Sequence, residues 1–182
     1  MRIVTERLIL RRPTIKDTTD IVRNINDLTV SRYTAHVPFP YHIKDAKKFI
    51  KRCRQRERHK PITDMDFVIE LRVTKRVIGG TGFIRIDHFT GKADIGYWLG
   101  KNYWRQGIGY ESVSALVKYA FTKLKLQRLE AAIYKGNRAS QTLARKLGFK
   151  KEGVRRRASR SLATGKLHDV MIYGLLKEKP RK

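Results

Sequence analysis

The chain has 182 residues, of which 42 are Lys or Arg and 16 are Asp or Glu, for a formal net charge of +26. Its length suits one compact domain, and 41% hydrophobic residues is the content of a folded protein. A single cysteine excludes a disulfide framework, the five histidines (36, 42, 59, 88 and 168) show no metal-ligand spacing, and no apolar run approaches the ~18 residues of a membrane span. The opening Met1-Arg2-Ile3-Val4-Thr5-Glu6 lacks a signal-peptide core, so a cytoplasmic protein without metal or membrane partner is expected.

Leu8-Ile9-Leu10, bounded by Arg11-Arg12-Pro13, reads as an opening strand. Thr14 followed by Asp17 predicts a helix start, and Ile21, Val22, Ile25 and Leu28 keep helical spacing. Between Pro40 and Pro61, the residues Ala46, Phe49, Ile50 and Cys53 form an apolar stripe on a very basic helix, which makes Cys53 a small buried hydrophobe rather than a reactive thiol. Residues 67–71 and 77–86 predict strands, the second interrupted by Gly79-Gly80-Thr81-Gly82. No helix follows that glycine cluster, so a bulge or close backbone approach explains it better than a phosphate loop. Thr90-Gly91 turns into a strand over residues 93–99.

Next comes Trp104-Arg105-Gln106-Gly107-Ile108-Gly109-Tyr110, ahead of a helix whose face is marked by Val113, Leu116, Val117, Ala120, Phe121 and Leu124. A glycine-punctuated turn from strand to helix can aim several backbone N–H groups at one anion, aided by the positive end of the helix dipole. Gly107 and Gly109 let the main chain approach without a Cβ in the way, and Arg105 and Gln106 add donors. A plain tight connection is the alternative. No G-x-x-x-x-G-K-[ST] occurs, and the residue three after Gly109 is Ser112, so neither the P-loop nor the dinucleotide fingerprint is present. Residues 129–134 predict a strand, residues 138–147 a helix closed by Gly148, and residues 170–176 a last strand. The class is mixed α/β without internal repeats or domain boundaries. Nine basic residues lie between Lys44 and Lys60 against Asp45 and Glu57, and seven between Lys150 and Lys166 against Glu152 alone. These runs are either solvated faces or contacts to a polyanion such as RNA.

Thr5-Glu6-Arg7-Leu8-Ile9-Leu10-Arg11, Pro38-Phe39-Pro40-Tyr41, Ile95-Gly96-Tyr97-Trp98-Leu99, Asn137-Arg138-Ala139-Ser140 and Leu147-Gly148-Phe149 fall in an order that resembles the GNAT superfamily of N-acetyltransferases. Within it the chain is most similar to the RimJ/RimL group, which acetylates protein N-termini. The resemblance implies a single domain over residues 1–182, with a largely antiparallel twisted sheet of about six to seven strands and about four helices. The fourth (93–99) and fifth (129–134) strands would splay apart. The superfamily loop is Q/R-x-x-G-x-G/A; Gly107 and Gly109 fit it, while Trp104 takes the Gln/Arg position, as an aromatic often does in RimJ/RimL proteins.

The resemblance also implies roles for particular residues. Acetyl-CoA would be the co-substrate, its pyrophosphate on Trp104, Arg105, Gln106, Gly107, Ile108, Gly109 and Tyr110, and its pantetheine arm on Trp98, Leu99 and Gly100. Asn137 and Ser140 would contact it near the thioester, with Ser140 a proton donor to sulfur; Asn137 is equally a good helix N-cap. Glu130 leads the candidates for general base, ahead of Glu70 and Asp94, with a water relay as the alternative. His168 and Asp169 would shape the acceptor pocket. The acceptor implied is the N-terminal α-amine of a protein, plausibly ribosomal, whose reference pKa of about 7.7–8.0 eases its use as a nucleophile. Two alternatives stand: a basic RNA- or ribosome-binding protein that has lost catalysis, and acetylation of a small-molecule amine. Monomer and homodimer are both open.

Overall fold

A computed structural model describes residues 1–56 and 58–178, which leaves Glu57 of the basic run outside the described residues. The strands are β1 (Arg2–Val4), β2 (Leu8–Arg11), β3 (Met65–Leu71), β4 (Val77–Asp87), β5 (Lys92–Leu99), β6 (Arg128–Tyr134), β7 (Lys150–Arg160) and β8 (Leu167–Leu176). They form one sheet in the order β1-β2-β3-β4-β5-β6-β8-β7, antiparallel throughout except between β5 and β6. The α-helices are α1 (Thr18–Ile25), α2 (Leu28–Ser31), α3 (Ile43–Arg56), α4 (Ile108–Thr122) and α5 (Arg138–Lys146).

Eight strands replace the six to seven expected, and five helices the four. The two unforeseen strands, β1 and β7, are the sheet's edges. β7 is exposed along nearly its whole length, so its sequence carries no alternation of apolar and polar residues to read. The helical spacing that runs on to Leu28 is divided in two, because Asp27 turns extended and accepts from the Thr29 amide (2.7 Å), capping α2 afresh. The start ahead of α1 is as read: Asp17 accepts from the Thr14 amide (2.6 Å) and takes a two-pronged bond from Arg11 (2.8 Å each). Burial opposes its charge, yet Arg11 and Thr14 hold the carboxyl below its ordinary value.

Alternation along the strands separates two cores. Phe67, Ile69, Phe83, Ile95 and Leu129 pack with Val113 and Leu116 under α4 and α5. Val68 and Val77 pack with Ile21, Ile25, Ala46 and Ile50 under α1 and α3. Cys53 is buried, and desolvation pushes its thiol up, the behaviour of an inert hydrophobe. The glycine cluster of β4 is a close approach: a Cβ on Gly80 would stand 2.5 Å from Trp98 Nε1, and one on Gly82 2.4 Å from the Met65 carbonyl. The nearby bulge lies later, at Arg85 (φ 52°), where the β4–β5 register shifts.

One seam positions everything else. β5 and β6 pair only at Lys92–Arg128, Ala93–Leu129 and Asp94–Glu130; beyond those residues the strands part.

Candidate active site

The parting strands leave backbone groups without ladder partners. The Gly100 amide donates to the Ile78 carbonyl (2.9 Å), which fixes the hydrogen-bonded pairs of β4 and β5 at Gly100, Trp98 and Gly96. The amides of Ile95, Tyr97 and Leu99 therefore face β6: that of Ile95 closes the last rung of the seam on the Glu130 carbonyl, and those of Tyr97 and Leu99 open into the wedge. On the far wall the Lys135 amide donates to Asp169 (2.9 Å), so the odd residues of β6 bond to β8, and Ala132 and Tyr134 face β5. This register redistributes the residues expected along the arm. Leu99 keeps a wedge-facing amide, whereas Trp98 points its amide at β4 and Gly100 has already donated its own. Gly100 has a packing reason of its own: a Cβ there would strike the Asn24 side-chain oxygen at 2.3 Å. Tyr97, passed over in the sequence, contributes both an amide and a hydroxyl that donates to the Ser140 carbonyl across the wedge (3.2 Å). Burial pushes that phenol up to about 12, so it stays protonated as a donor.

At the wide end of the wedge the chain forms a tight turn into α4. Arg105 (φ 59°) and Gly107 (φ 76°) adopt left-handed conformations on either side of Gln106, and Gly107 is the N-cap of α4. Alternating hands of this kind turn successive N–H groups to one concave side. Among the described residues none of the backbone amides of Arg105, Gln106, Gly107, Ile108, Gly109 and Tyr110 donates to a protein acceptor. The first amides of a helix always lack an internal partner. Here the run of six extends into the loop.

Side chains fix the loop rather than fill it. Trp104 is 39% exposed, and its indole N–H donates back to the Leu99 carbonyl (2.7 Å), closing the turn onto the end of β5. Gln106 Nε2 bonds to Asn102 (2.8 Å), and Ile108 is a core residue. Tyr110 turns its ring toward β1, where it lines a separate groove of about 570 Å³ with Ile3 and Val4. Of the donors expected from side chains, Arg105 alone stands exposed without a partner among the described residues. Arg7 and Glu111 also hold this loop, and sequence reasoning did not single them out.

Across the wedge, α5 begins with Asn137, whose Oδ1 accepts from the Ser140 amide (3.1 Å). The cap reading of Asn137 is thus structural fact, and Ser140 keeps a hydroxyl with no protein partner among the described residues. Glu130 sits at the last paired position of the seam, bonded by Arg128 (2.9 Å) and near Lys92 (3.8 Å). Asp94 pairs with Arg85, and Glu70 with Arg11. His168 stacks on Tyr134 (centroids 4.3 Å, 8° between planes), while its Nε2 is buried without a partner. The Tyr134 hydroxyl meets Ser159 (3.0 Å). Asp169 accepts from the Arg157 amide (3.0 Å) and lies 3.6 Å from Lys135; both hold its carboxyl below the ordinary value. His168 thus joins the wedge wall through Tyr134, and Asp169 is occupied in tying β7 to β8. Among the described residues no group of His, Cys, Asp or Glu could hold a metal, and no helix is long and apolar enough to cross a membrane.

A model of the acetyltransferase (GNAT) domain matches residues 7–150. The chain is 35% identical over 173 residues to p20 of Bacillus licheniformis, an uncharacterized N-acetyltransferase, covering 95% of this chain and 94% of that one. A Vibrio cholerae structure assigned as a ribosomal-protein-serine acetyltransferase superposes with a TM-score of 0.83 at 28% identity, over 97% of this chain and 98% of the other. The microcin C7 self-immunity acetyltransferase MccE, solved with acetyl-CoA and AMP, superposes at 0.80 with 25% identity, over 95% and 94%. The parting seam, the six free amides and these likenesses agree with the resemblance read from the sequence: the chain belongs to the GNAT family of N-acetyltransferases, which use acetyl-CoA.

Proposed function

We propose that this enzyme transfers acetyl to the N-terminal α-amine of a protein, with the donor held along the β5–β6 wedge. The observation that carries the reading is the run of unpartnered amides from Arg105 to Tyr110 at the wide end of a seam that pairs only three residues deep. Those amides suit a pyrophosphate, and the Tyr97 and Leu99 edge suits the amide groups of a pantetheine arm. Bound acetyl-CoA would supply an activated thioester carbonyl. Ser140, at the start of α5, would give a proton to the departing sulfur. The acceptor would enter on the opposite side, by Tyr134 and His168, where the loop after α2 reaches over to the β7–β8 hairpin through the Leu162 amide and Ala35 carbonyl (3.2 Å). With an amine of pKa about 8, a water relay would be a sufficient proton acceptor. Glu130, bound by two cations at the closed end, is read as a staple of the seam.

Charge supports a ribosome-bound acceptor. Lys44, Lys47, Lys48, Lys51, Arg52 and Arg54 are exposed on α3, and no carboxylate of the described residues pairs with them. Such a face favours phosphate-rich surroundings and disfavours a free polycationic acceptor. The Vibrio cholerae relative points the same way. Loss of catalysis with RNA binding retained fits less well, since the run of unpartnered amides proposed for the donor is uninterrupted. MccE, solved with AMP, keeps a small-molecule amine as the second reading.

A panel of peptides with varied N-terminal residues, beside small amines, tests the acceptor. Acetyl transfer to the α-amine of peptides is expected. Turnover of small amines alone would overturn that part.

A further inference from the structure

Glu111 is an acid in the first turn of the helix whose start would hold an anion. It complements the helix dipole but opposes a phosphate placed a few ångströms away. Its carboxylate is closely engaged: Thr5 Oγ1 donates at 2.6 Å, the Arg7 amide at 2.9 Å and Arg7 Nε at 2.6 Å. The same guanidinium continues to the loop, where Nη1 donates to the Gln106 carbonyl (2.9 Å). Arg7 is itself held from behind. The Arg72 amide donates to the Arg7 carbonyl (2.9 Å), and Arg72 Nη1 bonds to the carbonyls of Thr5 (3.1 Å) and Glu6 (2.7 Å).

Two consequences meet in one side chain. In a planar trans peptide the carbonyl and the next N–H point in opposite directions. Holding the Gln106 carbonyl on the Arg7 side therefore turns the Gly107 N–H toward the concave side of the loop. Pairing Glu111 at the same time cancels the one negative charge in the first turn of α4.

We propose that Arg7 is a positioning residue for the acetyl donor, neutralising Glu111 beside the phosphate loop and aiming the Gly107 amide at the pyrophosphate. It acts through the loop and does not touch the reacting atoms. The inference rests on the reading of residues 105–110 as the pyrophosphate site.

The test is a double-mutant cycle read by calorimetry with CoA and by kinetics with two donors. Wild-type protein is titrated first; no CoA binding there would overturn the loop reading itself. With wild-type binding in hand, Arg7→Met is expected to weaken CoA about tenfold, and Arg7→Met/Glu111→Gln to recover about half of that loss on a logarithmic scale, the rest being the lost hold on the Gln106 carbonyl. KM for acetyl-CoA should rise with kcat unchanged, while KM for S-acetylpantetheine, which has no phosphates, stays as in wild type. Should Arg7→Met fail to fold, Glu111→Gln alone decides: it should bind CoA at least as tightly as wild type although it gives up an ion pair. Wild-type affinity in Arg7→Met, weakening that Glu111→Gln does not relieve, or weaker binding by Glu111→Gln alone would each overturn the proposal.

Discussion

The two ends of the β5–β6 seam, only a few residues apart, are built differently. At the closed end three residue pairs are ringed by ions: Glu130 with Arg128 and Lys92, Asp94 with Arg85, and Arg128 onward to Glu152 (2.9 Å). At the open end, Tyr97 and Leu99 turn their amides to a strand that is no longer there, and six more amides without a protein partner among the described residues follow in the loop. Buried polar groups in a folded protein find partners, and backbone amides left without one at an open edge are available to water or to a ligand. Paired side-chain charge thus closes one end, and bare backbone, backed by the Arg7–Glu111 pair, lines the end proposed for the acetyl donor.

Gly107→Val should separate the ends most sharply. A β-branched residue at φ 76° forces the loop open, and its Cβ would stand 3.3 Å from Arg7. Affinity for CoA should fall on the order of a hundredfold in calorimetry, with the melting temperature little changed. Gly80→Ala attacks the wall instead. Displacing Trp98 should cost about 2 kcal/mol in denaturant unfolding, since overpacking a fitted contact carries that order of penalty. Glu130→Gln belongs to the closed end and should cost about 1 kcal/mol, leaving the pH profile of kcat/KM unchanged. Loss of the profile's acidic limb would make Glu130 the base. Tyr97→Phe removes a single bond to the Ser140 carbonyl and should cost about 1 kcal/mol or less, with a small rise in KM for acetyl-CoA.

The pH dependence of stability has a definite sign. Asp17 and Glu111 both have folded values held below the ordinary carboxylate range. For Glu111 burial acts the other way, and the bonds from Thr5 and Arg7 outweigh it. Their contribution is complete above the unfolded value and is lost as pH falls through the lowered folded one. The stability gap between wild type and Asp17→Asn should therefore close on acidification, as measured by urea unfolding over a pH series.

Much of this was legible in the sequence, for particular physical reasons. Strands with a buried face announce themselves by alternation, and Gly107 and Gly109 marked the loop because a cradle needs a main chain free of Cβ. The exposed edge β7 has no buried side to impose a pattern, and β1 is only three residues long. Leu28 kept helical spacing although Asp27 interrupts the helix, since capping competes with periodicity. The division of Trp98, Leu99 and Gly100 into two facing directions depends on sheet register, which composition does not carry. Arg7 escaped notice because its carbonyl partner, Gln106, is 99 residues away. His168 was visible, but its stacking on Tyr134 was not.

Amide hydrogen exchange with and without saturating acetyl-CoA tests the central claim most directly. The account predicts slowed exchange at Tyr97, Leu99 and residues 105–110, and none of that protection at Lys92, Ala93 and Asp94. Tight acetyl-CoA binding that leaves the wedge and loop amides exchanging as before would contradict it.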